Sequence, residues 1–246
     1  VKITEKEINK MKVKRLFKSI AGSFKSLTKF ELVLWLLSCA GVFLSSFAGD
    51  FGVLSLAAPL IGVTALIFIA KGDVLGQILT LIFSILYAVV SFRLRYYGEM
   101  ITYVGMTAPM AAVAAVAWLK NPYERGKNEV RIARLCKLQK IMAPILAALV
   151  TLGFYFILKA LGNASLAVST ISVTTSFLAS YLTYCRSCYY AVAYAANDIV
   201  LVVLWSLASV ADPSYLSMVI CFLMFFVNDV YGFVNWRRLY KRQNAE

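Results

Sequence analysis

The chain has 246 residues, 61% of them hydrophobic and 15% charged, with a mean hydropathy of +0.76. A soluble domain carries about 45–50% apolar and about 25% charged residues, so an aqueous fold would leave far too much apolar surface in water. The net charge of +13 does not mark a nucleic-acid partner, because the basic residues lie in segments between apolar runs and form no stripe on a soluble domain.

Residues 1–29 hold nine Lys and Arg, with Ile8, Leu16, Ile20, Phe24 and Leu27 at roughly helical spacing. This predicts a basic amphipathic segment lying on an anionic leaflet. It does not read as a cleavable leader, since its basic region is too long and no small-residue cleavage site follows the apolar run. A membrane-spanning helix needs about 20 mostly apolar residues. Eight runs meet that test, at 30–48, 53–70, 74–92, 100–119, 141–161, 164–184, 189–211 and 214–236. Turn-like pieces separate most of them: Gly49-Asp50-Phe51-Gly52, Lys71-Gly72-Asp73, Gly162-Asn163 and Asp212-Pro213. Residues 120–140 form a basic loop and 237–246 a basic tail. With the N-terminus inside and sides alternating through eight spans, every basic residue except Arg93, Arg95 and Lys159 falls on the cytoplasmic side. The expected topology is therefore multi-pass with both termini cytoplasmic, and the expected location is the cell's inner (cytoplasmic) membrane.

A weak internal repeat is visible. A polar-to-apolar run from Gln77 ends at Trp118, and a similar run from Asn197 ends at Trp236, each Trp being followed by basic residues. Trp at such a boundary also fits interfacial anchoring. The expected fold class is all-α: two parallel three-helix bundles, 53–119 and 164–236, joined by a linker helix at 141–161, with 30–48 as an additional N-terminal helix. Both bundles then start on the same side of the membrane, and a pathway would lie between them.

Two acids, Asp198 and Asp229, lie well inside apolar spans, and each follows an asparagine. A carboxylate at mid-depth costs about 2.5–3.5 kcal/mol to insert. Both pairs sit about 12 Å from the inner boundary at 1.5 Å per residue, so they can meet at one level. The matching stretch of the first bundle, Ala108-Pro109-Met110-Ala111, has no acid, which places the polar half of a pocket in the second. Asn197 and Asn228 belong to the same candidate site, although amides and carboxyls also hold helices together. Thr170 and Thr174 share one face and could reach a sugar hydroxyl. Gln77 and Tyr87 could face the same cavity, as could Tyr190 and Tyr194, which share a face with Asn197. Tyr194 and Trp205 are candidate stacking surfaces for a flat ring, and an aromatic face also attracts a cation.

No nucleotide-binding G-x-x-x-x-G-K-[ST] loop, G-x-S-x-G elbow or H-E-x-x-H motif is present, and the chain has no histidine. Cys185 and Cys188 form a lone C-x-x-C without the second pair that a zinc site needs. No cofactor, metal or catalytic residue is expected. A membrane-embedded enzyme using the paired Asp198 and Asp229, or a structural subunit without a ligand, is the reading from a different class.

The stretch Tyr97-Gly98-Glu99-Met100-Ile101-Thr102-Tyr103, continuing through Trp118-Leu119-Lys120-Asn121-Pro122, resembles the PnuC nicotinamide riboside transporter family. So do Ala195-Ala196-Asn197-Asp198-Ile199-Val200-Leu201 with Trp205, and Asn228-Asp229-Val230-Tyr231-Gly232-Phe233-Val234-Asn235-Trp236 with Arg237. The resemblance covers roughly residues 30–243. It implies a core similar to sugar transporters of the SWEET type, a homotrimer, and facilitated diffusion of nicotinamide riboside, which a cytoplasmic riboside kinase traps by phosphorylation. Relatives of that family carry thiamine, riboflavin or deoxynucleosides, and these remain alternatives. Many members have tryptophans early in the seventh span, where this chain has Tyr189, Tyr190 and Tyr194.

Overall fold

The computed structural model describes residues 20–48, 53–93, 96–124, 127–163 and 165–245. The turn at 49–52 and residues 1–19 of the basic N-terminal segment lie outside the described residues. The described chain is built from helices: α1 (Lys29–Ser45), α2 (Val53–Ala70), α3 (Val74–Arg93), α4 (Tyr97–Leu119), α5 (Lys137–Ala160), α6 (Leu166–Tyr184), α7 (Tyr190–Ala211) and α8 (Leu216–Gln243). Six of these, α3 to α8, are long and apolar enough to cross a membrane. The apolar helices α1 and α2 are shorter, with 17 and 18 residues. Leu37, Leu44, Leu149 and Phe156 stand exposed on the outside. A bilayer accepts such a surface and obliges the backbone to satisfy its own hydrogen bonds, which helices do.

Boundaries follow local chemistry. Thr28 and Glu31 form a capping box at the start of α1, with Glu31 N–H donating to Thr28 Oγ1 at 3.3 Å and Thr28 N–H to Glu31 Oε2 at 2.7 Å. Gly72 turns the chain between α2 and α3 at φ +69°, and Asp73 then accepts the Leu75 N–H at 2.9 Å. Helix α4 starts at Tyr97, earlier than expected, and draws Glu99 inside. Helix α8 runs on through Gln243, so most of the expected basic tail is helical. Gln243 explains this: its side chain accepts the Ile132 N–H at 2.8 Å and donates to Glu129 at 2.8 Å.

Helices α2, α3 and α4 pack in chain order, and so do α6, α7 and α8. The two groups meet reciprocally, α8 against α2 and α4 against α6. Helix α5 packs on α6, and its apolar stretch is only 17% buried, which makes it peripheral. Helix α1 packs on α2 and α8.

The reciprocity extends to single bonds at the basic end of the bundle. Trp118, near the end of α4, donates its indole N–H to Thr183 O of α6 at 3.0 Å. Trp236 donates to Ile69 O of α2 at 2.8 Å, and the two rings lie 5.4 Å apart. Both tryptophans are fully buried, so they are not interfacial anchors. Carbonyls in the last turn of a helix have lone pairs to spare, and the indoles take them.

The basic loop also belongs to this end. Val130 and Ile132 are buried against Trp118, Trp236 and Tyr190, and Val130 N–H donates to Gly72 O at 2.8 Å. Residues 20–28 pack onto the same end, where Ser23 donates to Asp73 at 2.5 Å and Phe24 meets Phe68 at 4.8 Å.

Candidate functional site

A narrow cavity of about 50 Å³ sits between the two helix groups. Helix α7 contributes Tyr194, Asn197 and Asp198 to its wall, and α8 contributes Phe222, Phe225 and Asp229. Ser176 comes from α6, Tyr103 and Thr107 from α4, Thr80 and Phe83 from α3, and Gly62 and Leu66 from α2. A Cβ at position 62 would stand 2.4 Å from the Phe225 ring, so the glycine lets that ring close against the wall.

The carboxyls of Asp198 and Asp229 lie side by side in the cavity wall. They stand within hydrogen-bonding reach of each other, and each keeps one buried oxygen with no hydrogen bond to any other described residue. Two adjoining carboxyls in an apolar bundle are costly, and a cation placed between them would relieve both. Asn197 is held by hydroxyls of α6: Thr175 Oγ1 and Ser176 Oγ lie 2.8 and 2.9 Å from its Oδ1, and Ser172 Oγ 3.3 Å. It thus joins two helices and lines the cavity. Tyr194 Oη lies 3.2 Å from Ser180 Oγ.

Helix α4 reaches the cavity through an irregularity. Residues Tyr103–Thr107 form a single π turn that ends two residues before Pro109. A proline lacks the N–H and crowds the carbonyl four residues earlier, so the chain widens there. That turn presents Tyr103 and Thr107 to the cavity.

Aromatic layers close both ends. Toward the basic end stand Trp118, Trp236 and Tyr190, the last 4.5 Å from Trp236. Toward the far end Tyr87 lies 4.3 Å from Tyr103, and Trp205 lies 4.7 Å from Tyr96 and 5.6 Å from Tyr215.

Of the candidate residues, Asn197, Asp198, Asp229 and Tyr194 line the cavity. Tyr87, Tyr190 and Trp205 stand outside its wall, in the closing layers. Gln77 is buried beside the cavity without lining it, and its Nε2 has no partner among the described residues. Asn228 turns away and donates to Ser38 Oγ of α1 at 2.8 Å, holding helices together. Thr170 and Thr174 face α5, where Thr174 Oγ1 meets Thr151 Oγ1 at 2.8 Å and both threonines line an apolar groove. Their shared face was legible, but the helix it meets was not. Sequence reasoning missed Thr80, Phe83, Tyr103, Thr107, Phe222 and Phe225, and Pro109 was the one signal near them. It also missed three buried acids besides the pair: Glu31, Asp73 and Glu99.

Comparison with known proteins agrees with this architecture. The chain is similar to the nicotinamide riboside transporter PnuC of Neisseria mucosa, 28% identical over 229 residues, covering 91% of this chain and 86% of that one. It is similar to the nicotinamide riboside transporter PnuC of Haemophilus influenzae, 24% identical over 192 residues, covering 78% of this chain and 82% of the other. A crystal structure of the vitamin B3 transporter PnuC superposes with a TM-score of 0.77 at 25% identity, covering 89% of this chain and 95% of that one. Residues 52–238 match the model of the nicotinamide mononucleotide transporter family, and the chain belongs to that family of multi-pass membrane transporters.

Proposed function

We propose that the protein carries nicotinamide riboside across the inner membrane by facilitated diffusion. All eight helices α1 to α8 span the bilayer in this reading, with both termini cytoplasmic. Helices α2–α4 and α6–α8 are two parallel three-helix bundles of the SWEET type, α5 is the linker, and α1 is an added element. The reciprocal packing of α8 on α2 and α4 on α6, with its matched tryptophan bonds, supports that arrangement. A homotrimer, and trapping of the product by a cytoplasmic riboside kinase, belong to the same proposal.

The observation that carries the reading is the pair Asp198 and Asp229, facing each other in a polar and aromatic cavity between the bundles. Nicotinamide riboside is a flat cation with a polar sugar. The carboxyls balance its charge, the aromatic rings of Tyr103, Tyr194 and Phe222 receive its ring, and Asn197 with Thr107 meets its hydroxyls. A mononucleotide fits less well, because no Lys or Arg among the described residues lines the cavity and a phosphate would face two carboxyls. At about 50 Å³ the cavity holds water but not the solute, so this is a closed state that must widen in transport. A membrane potential negative inside would draw the cation inward by about 2.3 kcal/mol per 100 mV, without a pump.

Calorimetry in detergent and counterflow of labelled nicotinamide riboside in proteoliposomes test this. Asp229→Asn should weaken riboside binding about 10- to 100-fold, the worth of one charge-assisted contact, and Asn197→Ala about tenfold. Unchanged affinity in both variants, folded by their melting curves, would remove the site. Equal or tighter binding of thiamine or a neutral nucleoside would redirect the substrate and keep the pathway.

A further inference from the structure

A second cavity, of about 500 Å³, opens at the basic end and shares no wall residue with the central one. Arg134, Lys140, Arg237 and Lys241 line it, with Ser187, Tyr189 and Tyr240, and no carboxylate among the described residues does. The ion pairs found among the described residues, Lys71 with Glu31, Lys127 with Glu124 and Arg242 with Glu129, all lie elsewhere. In place of acids, two of these cations lie against aromatic faces, Arg134 over Tyr240 at 5.2 Å and Arg237 over Phe233 at 5.7 Å.

The backbone adds to the same field. Helix α7 begins beside this cavity with Tyr189 at its cap position and no side-chain cap bond. Helix α5 also begins beside it, but its first turn is already capped, Cys136 N–H donating to Gln139 Oε1 at 3.0 Å and Gln139 N–H to Cys136 Sγ at 3.5 Å, so it contributes Lys140 rather than free N–H groups. The N-terminal end of a helix carries partial positive charge and binds anions. Topology explains why basic residues gather on one side of a membrane. It does not explain why four converge on one concavity with no acid among its described wall residues. The neighbouring cavity at this end shows the usual solution, with Lys71 and Arg242 paired to Glu31 and Glu129 in its walls.

We propose that this cavity binds an anionic phosphate group, supplied by the headgroup of an anionic phospholipid or by a soluble phosphate monoester. Arg237 and Lys241, one turn apart on α8, hold it from one side, and Lys140 and Arg134 from the other. Exposed Leu138 and Ile141 on α5 adjoin Lys140 and offer acyl chains a path. The site does not depend on the transported solute.

Binding to the detergent-solubilised full chain tests this, with dihexanoyl phosphatidylglycerol against dihexanoyl phosphatidylcholine in one arm and AMP against adenosine in the other. At least one anionic probe should bind more tightly than its control, and more weakly as salt rises. Arg237→Gln/Lys241→Gln should weaken that binding about tenfold or more. Lys140→Gln, on a different helix, should weaken it separately, while Lys25→Gln/Lys120→Gln, equal in charge but outside the cavity, should not. Phosphatidylglycerol alone binding identifies a lipid site, and AMP alone a soluble ligand. Neither probe exceeding its control, or equal losses in the cavity and control variants, would overturn the proposal.

Discussion

The two ends of the central cavity are both closed by aromatic rings, yet they are built to different standards. At the basic end the indoles of Trp118 and Trp236 each reach a backbone carbonyl, and the loop behind them is tied down by Val130 and Ile132. At the far end, Tyr87 Oη and Trp205 Nε1 face each other short of hydrogen-bonding geometry. Ser91 Oγ and Glu99 Oε2 are also buried there without partners among the described residues. A buried polar group without a partner forgoes the water it had when exposed, at about 1–3 kcal/mol each. Opening the far end would return water to four such groups, whereas opening the basic end breaks bonds already made and rehydrates one, Gln77 Nε2. The far end is therefore the weaker closure, and a closed state of this kind should open there first.

The largest test of that asymmetry is Trp236→Ala. It removes a fully buried ring packed on Trp118 and Tyr190 and should lower stability by about 3–5 kcal/mol, read as a fall in the thermal midpoint in detergent. A paired comparison is sharper. Trp236→Phe keeps most of the ring and loses the bond to Ile69 O, a cost of about 0.5–1.5 kcal/mol beyond the change in shape. Trp205→Phe makes the same change in shape where the indole N–H has no completed bond, so that extra cost should be absent. Equal losses in the two variants would mean that the ends are built alike.

How much of this was legible depended on the kind of information each feature carries. The helices could be read because a bilayer demands about 20 apolar residues per span and Gly and Asp-Pro mark the breaks. The meeting of Asp198 and Asp229 could be read because depth follows from counting 1.5 Å per residue. Facing could not be read in the same way. Asn228 and Asp229 are neighbours about 100° apart on one helix, so when the acid faces the cavity the amide is free to face α1. The spacing of Thr170 and Thr174 fixes a common face but leaves open whether α7 or α5 lies across it. Tyr103 and Thr107 reach the cavity through a π turn, which shifts the face in a way that a regular 3.6-residue count misses. The basic loop could be read only as basic, because Val130 and Ile132 are too sparse in it to show that they plug the bundle.

The smallest effect discriminates best between a weak closure and a merely irregular one. Ser91→Ala removes a fully buried hydroxyl that bonds to nothing among the described residues. Were that hydroxyl supporting the fold, its loss would cost stability. With no partner to lose, deletion removes a desolvated group and leaves a gap of one oxygen, so the thermal midpoint should stay level or rise by an amount worth up to about 1 kcal/mol. The gain belongs to the closed state, because in the opened far end the hydroxyl would be hydrated. Stabilising one state of a two-state element without the other shifts its population. Counterflow of labelled riboside should therefore slow by a few-fold in a variant that melts no lower than the parent. A variant that melts lower and transports as before would show that Ser91 is ordinary packing and that the far end stores nothing to release.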